Sequence, residues 1–208
     1  MRKSGEAGAS FVIAGETFMA ILILGIILFL GTHTLTTFRD ARAGLIARIG
    51  AGAYRTLYSA GAVVGFVLIV WGFHVYRREG WVQVWYPPEG MRHLTILLMW
   101  FAFVALASMG RRPGRIRGWL RHPMLVAIKI WALAHLLVNG DLGGMILFGS
   151  FLAWAVFDRI AVKRRGDAGA PRIAAFTRAD AVALGAGTVA YVAMILLHPY
   201  LIGVAVIG

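Results

Sequence analysis

Three observations predict an all-α fold, a polytopic integral membrane bundle of six transmembrane helices. Of the 208 residues, 60% are hydrophobic and only 14% are charged. The apolar residues gather in runs of about 17 to 21, the length a helix needs to cross a bilayer. The Lys and Arg behind the net charge of +12 lie almost entirely between those runs. In lipid only helices and closed barrels satisfy their own backbone hydrogen bonds, and runs of this length fit helices. The basic charge therefore reads as topology, with the lipid bilayer as partner and no nucleic acid. With no cysteine in the chain, disulfides, thiolate metal sites and cysteine nucleophiles are excluded.

Residues 1–17 are mixed and glycine-rich and predict a loosely ordered lead; residues 18–208 predict a single transmembrane domain without internal repeats. The first span runs from about Phe18 to Phe38. Arg2 and Lys3 precede its apolar core as in a signal peptide, but the core reaches spanning length and no A-x-A-like site follows, so the span is read as retained. Arg39 to Arg55 is a basic connection, and Thr56 to Tyr76 is the second span. Its Ser59, Ala60, Gly61 and Gly65 suit close helix packing. Trp71, Tyr76, Trp81, Trp85 and Tyr86 form an expected interfacial belt at its far end.

Pro87 and Pro88 stop any helix before a third span, from about Met91 to Met109. The basic loop that follows ends at Arg121, and Pro123 opens the fourth span, to about Val138, because the first helical turn does not need the N–H that proline lacks. Asn139-Gly140-Asp141 has room only for a tight turn, so the fifth span, Leu142 to Phe157, returns antiparallel to the fourth. After a basic loop to Arg178, the sixth span runs from about Ala181 to Leu197 and ends at His198-Pro199-Tyr200.

Lys and Arg number four in Arg39–Arg55, five in Arg111–Arg121 and six in Arg159–Arg178, against two at the N-terminus and three in Arg77–Arg92. With six spans the first three connections share a side, a split of fifteen to five. The positive-inside rule makes that side the cytoplasm and puts both termini outside.

Ionisable groups inside spans mark functional candidates. At 3.6 residues per turn, Met124, Ile128, Trp131, His135 and Asn139 share one face, and Ile26, Phe29, His33 and Thr37 share another. Neutral imidazoles from two helices can ligate a haem iron, and a span histidine can equally be a hydrogen-bonded packing residue. Asn139 and Asp141 either cap the hairpin or hold the Nδ1–H of a nearby histidine. Lys129 lies about 120° around the helix from His135 and reads as a snorkelling or paired cation. Axial ligands of one iron sit at similar depth. His33 is about 9 Å of helix from Arg39, and His135 about 21 Å from Arg121. Depth alone matches His74 or His93 with His135, and His122 with His33.

Five segments carry a resemblance: LGIILFLGTHTLTTFRD, YRTLYSAGAVVGFVLIVWGF, WYPPEGMRH, the stretch from Gly114 to Arg159, and HPYLIGV. Together they resemble the NnrU family of bacterial membrane proteins, and the stretch around RHPML and WALAHLLVNGD is the most specific part. That resemblance implies a role in denitrification and nitrogen-oxide handling. It also implies kinship with zeta-carotene isomerase, a membrane haem b protein, and hence a haem b held by His33 of GTH and His135 of WALAH; Asn139, one turn past His135 on the same stripe, is the candidate beside it by spacing. The isomerase carries a cysteine where this chain has Ala132. Nitrogen-oxide reductase components, or a small apolar or gaseous ligand, are the partners the resemblance implies. Two other classes compete. Arg121-His122-Pro123 is similar to the RHP of membrane methyltransferases, but no glutamate follows Glu89 to complete their cofactor site. The other is a cofactor-free scaffold or assembly factor for a respiratory reductase.

Overall fold

The computed structural model describes residues 4–207, with side chains from residue 19 onward. The loosely ordered lead expected over residues 1–17 lies outside the fully described residues. Among the described residues the chain is all-helical, with seven helices: α1 (Ser4–Thr37), α2 (Arg39–Glu79), α3 (Met91–Ala107), α4 (Arg115–Leu120), α5 (Pro123–Leu136), α6 (Leu142–Arg164) and α7 (Arg178–Leu201). Met19–Thr37 of α1, together with α2, α6 and α7, is long and apolar enough to cross a membrane, whereas α3 and α5 are shorter apolar helices.

Three sequence expectations change. The connection Arg39–Arg55 is helical, because its Ala, Arg, Leu and Ile are good or fair helix formers and charge alone does not make a loop. Gly50 breaks it at φ 81 and ψ 154, a conformation open to glycine and strained for any other residue. The basic loop after α3 contains the short helix α4. In the last span, Pro199 falls inside α7, which Gly203 closes at φ 81.

The helices form two compact units, Met1–Pro87 with Asn139–Trp154, and Pro88–Val138 with Ala155–Gly208. In the first, α1 and α2 are an antiparallel hairpin zipped by glycines. A Cβ on Gly65 would lie 2.7 Å from the Phe29 nitrogen, on Gly72 2.6 Å from the Leu22 nitrogen, and on Gly25 2.6 Å from the Ile69 nitrogen. Gly61 and Gly65, expected at a helix contact, are there; Ser59 and Ala60 are exposed. At the far end of this unit the loop after α2 pairs with the 139–141 turn. Val84 N and Trp85 N donate to the Gly140 carbonyl, and Leu142 N donates to that of Val82. These bonds satisfy irregular backbone that lipid would leave unpaired.

In the second unit α3 runs antiparallel to both α5 and α7. Thr95 Oγ1 donates to the Ala134 carbonyl, Trp100 Nε1 to Thr188 Oγ1 and Tyr191 Oη to the Ile96 carbonyl. The connections after α3 and before α7 meet at one end, where Ala170 N donates to the Arg121 carbonyl. Arg92, on the first turn of α3, bonds the Val206 carbonyl at the other end. The two most basic connections of the chain therefore share an end of this unit.

Candidate functional site

His33 lies one turn from the end of α1 in the first unit. Its Nδ1 is 2.7 Å from the Phe29 carbonyl oxygen. A carbonyl only accepts, so Nδ1 carries the proton and Nε2 the lone pair. Three helices wall the imidazole: Phe29 of α1 at 4.2 Å between ring centroids, Tyr58 of α2 at 5.7 Å, and Trp154 of α6 edge-on at 6.1 Å. Trp154 is itself fixed, since its Nε1 donates to Thr34 Oγ1 at 3.1 Å. The stripe read from the sequence is real, and its Ile26 and Thr37 are buried.

His135 occupies the last turn of α5 in the second unit. Its Nδ1–H donates to the Trp131 carbonyl at 2.8 Å, and the Trp131 ring lies 5.4 Å away. The Nδ1–H that Asn139 or Asp141 was a candidate to hold is thus taken by the helix itself. His198, near the end of α7 in the same unit, also donates from Nδ1 to a carbonyl, that of Val204 beyond the helix end, at 2.7 Å. His93 is exposed on the first turn of α3, His74 is exposed on α2, and His122 is the N-cap of α5. His33 and His135 belong to different units, so neither unit alone assembles the pair.

Imidazoles with Nδ1–H on a carbonyl present Nε2 as a basic, oriented ligand. Among the described residues no group of three or more His, Cys, Asp or Glu converges as a bare metal ion requires. A haem iron asks less of the protein, because the porphyrin supplies four nitrogens and one or two imidazoles complete the sphere. Flat aromatic neighbours suit a macrocycle, so the residues present fit a haem in both donor chemistry and surroundings.

The family described as NnrU protein matches residues 21–206. The chain belongs to the NnrU family. No curated protein and no solved structure matches it.

Sequence reasoning missed two buried anchors in this NnrU-family chain, Tyr76 and Asp180. Tyr76, expected in an aromatic belt, is fully buried. Its hydroxyl accepts from Val82 N at 3.1 Å, and its ring packs over Gly143, where any Cβ would collide with it. Asp141, which the sequence offered as a cap of the hairpin, is fully buried and does cap α6, accepting from Gly144 N at 2.7 Å. The spacing of Gly140, Gly143 and Gly144 around Asp141 signalled backbone in close contact. The second anchor is Asp180, 1% exposed, which accepts from Arg115 N, Ile116 N, Thr177 N and Thr177 Oγ1. Its signal was Thr177-x-x-Asp180 ahead of an apolar run, a capping box.

Proposed function

We propose that this NnrU-family protein is a six-span inner-membrane protein that binds haem b and serves nitrogen-oxide metabolism, denitrification in particular. The observation that carries the haem is the shared setting of His33 and His135, each with Nδ1–H bound to the carbonyl four residues back, which makes Nε2 the basic nitrogen. The role in nitrogen-oxide handling rests on family membership, and reductase components or a diatomic gas are the partners that follow from it. By resemblance the axial pair is His33 and His135. A second pair, His135 with His198, is favoured by their place in one unit and by the carbonyl that also takes the Nδ1–H of His198.

Absorption spectra of the purified protein test this reading. The wild type is expected to show a low-spin Soret band. His135→Ala should lose the low-spin signature on either pairing, because the vacated position opens to water or a gas. His33→Ala loses it if the resemblance names the partner correctly, and His198→Ala loses it if the second unit supplies both ligands. A colourless wild type from haem-replete cells would remove the cofactor and leave the scaffold reading ahead.

The topology has its own test. α5 offers only about 21 Å of helix against a hydrocarbon core of about 30 Å, so its crossing needs a local thinning of the bilayer. The placing of basic connections supports it, and both termini are periplasmic on this reading. Reporters fused after Gly208 and inserted near Glu89 should read periplasm, and one near Asp167 should read cytoplasm. A cytoplasmic signal at Gly208 would mean an odd number of spans.

A further inference from the structure

We propose that the basic end of the second unit holds a pocket for the phosphate group of an anionic phospholipid. The pocket does not depend on the haem reading. It is a cavity of about 310 Å³, lined by Arg117, Arg121, His122, Asp167, Met109 and Met124 among others. Two guanidinium groups and an imidazole face a single carboxylate there, and Asp167 is engaged in its own turn, accepting from Gly169 N at 2.9 Å. The lining is cationic, which suits an anion.

Arg117 gives the pocket its direction. Its Nη1 donates to the Gly110 carbonyl at 2.6 Å, while its Nε is buried and, among the described residues, has no acceptor. The bond to Gly110 fixes the guanidinium at the cavity wall, where its charge adds to that of Arg121. Arg121 is the one non-glycine residue with positive φ among the described residues, at 64°. Such strain persists only where the surroundings impose it. Here they do: Arg121 N donates to the Arg117 carbonyl, and Ala170 N donates to the Arg121 carbonyl at 2.9 Å. Gly169, at φ 69, packs so closely that a Cβ would meet the Arg121 carbonyl and the His122 ring. The 165–171 loop thus holds Arg121 and His122 in place around the cavity.

A free anion would need only the charges. The surroundings offer more, since Met109 is 39% exposed, Met124 47% and the neighbouring Trp119 86%. Exposed apolar side chains around a cationic pocket match a headgroup attached to acyl chains, with Trp119 placed as an interfacial anchor.

The test uses the full-length protein in detergent, with thermal unfolding and native mass spectrometry as readouts. Phosphatidylglycerol is expected to raise the melting temperature and to be retained, and phosphatidylcholine to do neither. Arg117→Gln should weaken phosphatidylglycerol retention about fivefold, the share of one arginine at a membrane surface. Arg121→Gly removes a cation while relieving the positive φ, so it should fold at least as stably as the wild type and still retain less lipid. Wild-type retention in both variants, or equal retention of the two lipids, would overturn the proposal. Full stabilisation by inorganic phosphate without lipid would overturn the lipid source.

Discussion

Replacing Gly65 by leucine should unzip α1 from α2 and cost the first unit about 3 kcal/mol or more, the upper range for overpacking a tight contact. The reason is what the new Cβ would meet: the nitrogen, Cα and Cβ of Phe29, at 2.7, 2.9 and 3.0 Å. Backbone cannot rotate away as a long side chain can, so the helices must separate, and in lipid their association rests on this close packing. Phe29 also carries the His33 site through its carbonyl and its ring. The variant should therefore disturb the imidazole as well as the hairpin. Two controls grade the effect. Gly61→Ala meets only the Thr32 side chain, whose hydroxyl at 3.0 Å can give way at the expense of its bond to the Leu28 carbonyl, and Gly52→Leu has nothing within 4 Å. Thermal unfolding in micelles should rank Gly52→Leu beside the wild type, Gly61→Ala slightly lower and Gly65→Leu far below. If Gly65→Leu melts with the wild type, the two helices are not held by backbone contact.

The apolar runs, the proline that starts α5, the tight Asn139–Asp141 turn and the two histidine stripes were legible because each depends on a local rule of hydrophobicity, periodicity or backbone conformation. The span boundaries were less so. Arg39–Arg55 reads as a loop by charge, yet the structure is helical there, since arginine and alanine favour helix wherever the charge can reach water. Tyr76 reads as a belt residue by its position near a span end. Its burial depends on Gly143, 67 residues further on, and a long-range contact of that kind leaves no periodic trace. The carbonyls that set the histidine tautomers lie four residues back in each helix, so that feature was accessible from helix geometry. The second ligand proposed beside His135 was not, because a choice between His33 and His198 is a matter of packing rather than of pattern.

Removing the Asp180 carboxylate should be the most damaging single change in the second unit. One oxygen accepts from Arg115 N at 2.9 Å, Thr177 N at 2.8 Å and Thr177 Oγ1 at 2.9 Å, and the other accepts from Ile116 N at 2.7 Å. The side chain thus caps α7 and also holds the first backbone donors of α4, which comes from a different part of the chain. Hydrogen bonds to a charged acceptor are worth about 1.5–3 kcal/mol each, and donors left buried cost about as much again, but bonds sharing one group do not add. A loss of about 3–5 kcal/mol for Asp180→Ala follows, at the upper end of single substitutions. Asp180→Asn keeps the shape but turns an amide toward backbone N–H groups, so it should fall between alanine and the wild type. Because α4 bears Arg117, the alanine variant should also loosen the cationic end of the unit. Hydrogen exchange should show faster exchange at the Arg115 and Ile116 amides, while amides of the α1–α2 hairpin keep wild-type protection. Unchanged protection at Ile116 in Asp180→Ala would mean that α4 is held by its other contacts, such as Gly118 against the Pro171 carbonyl.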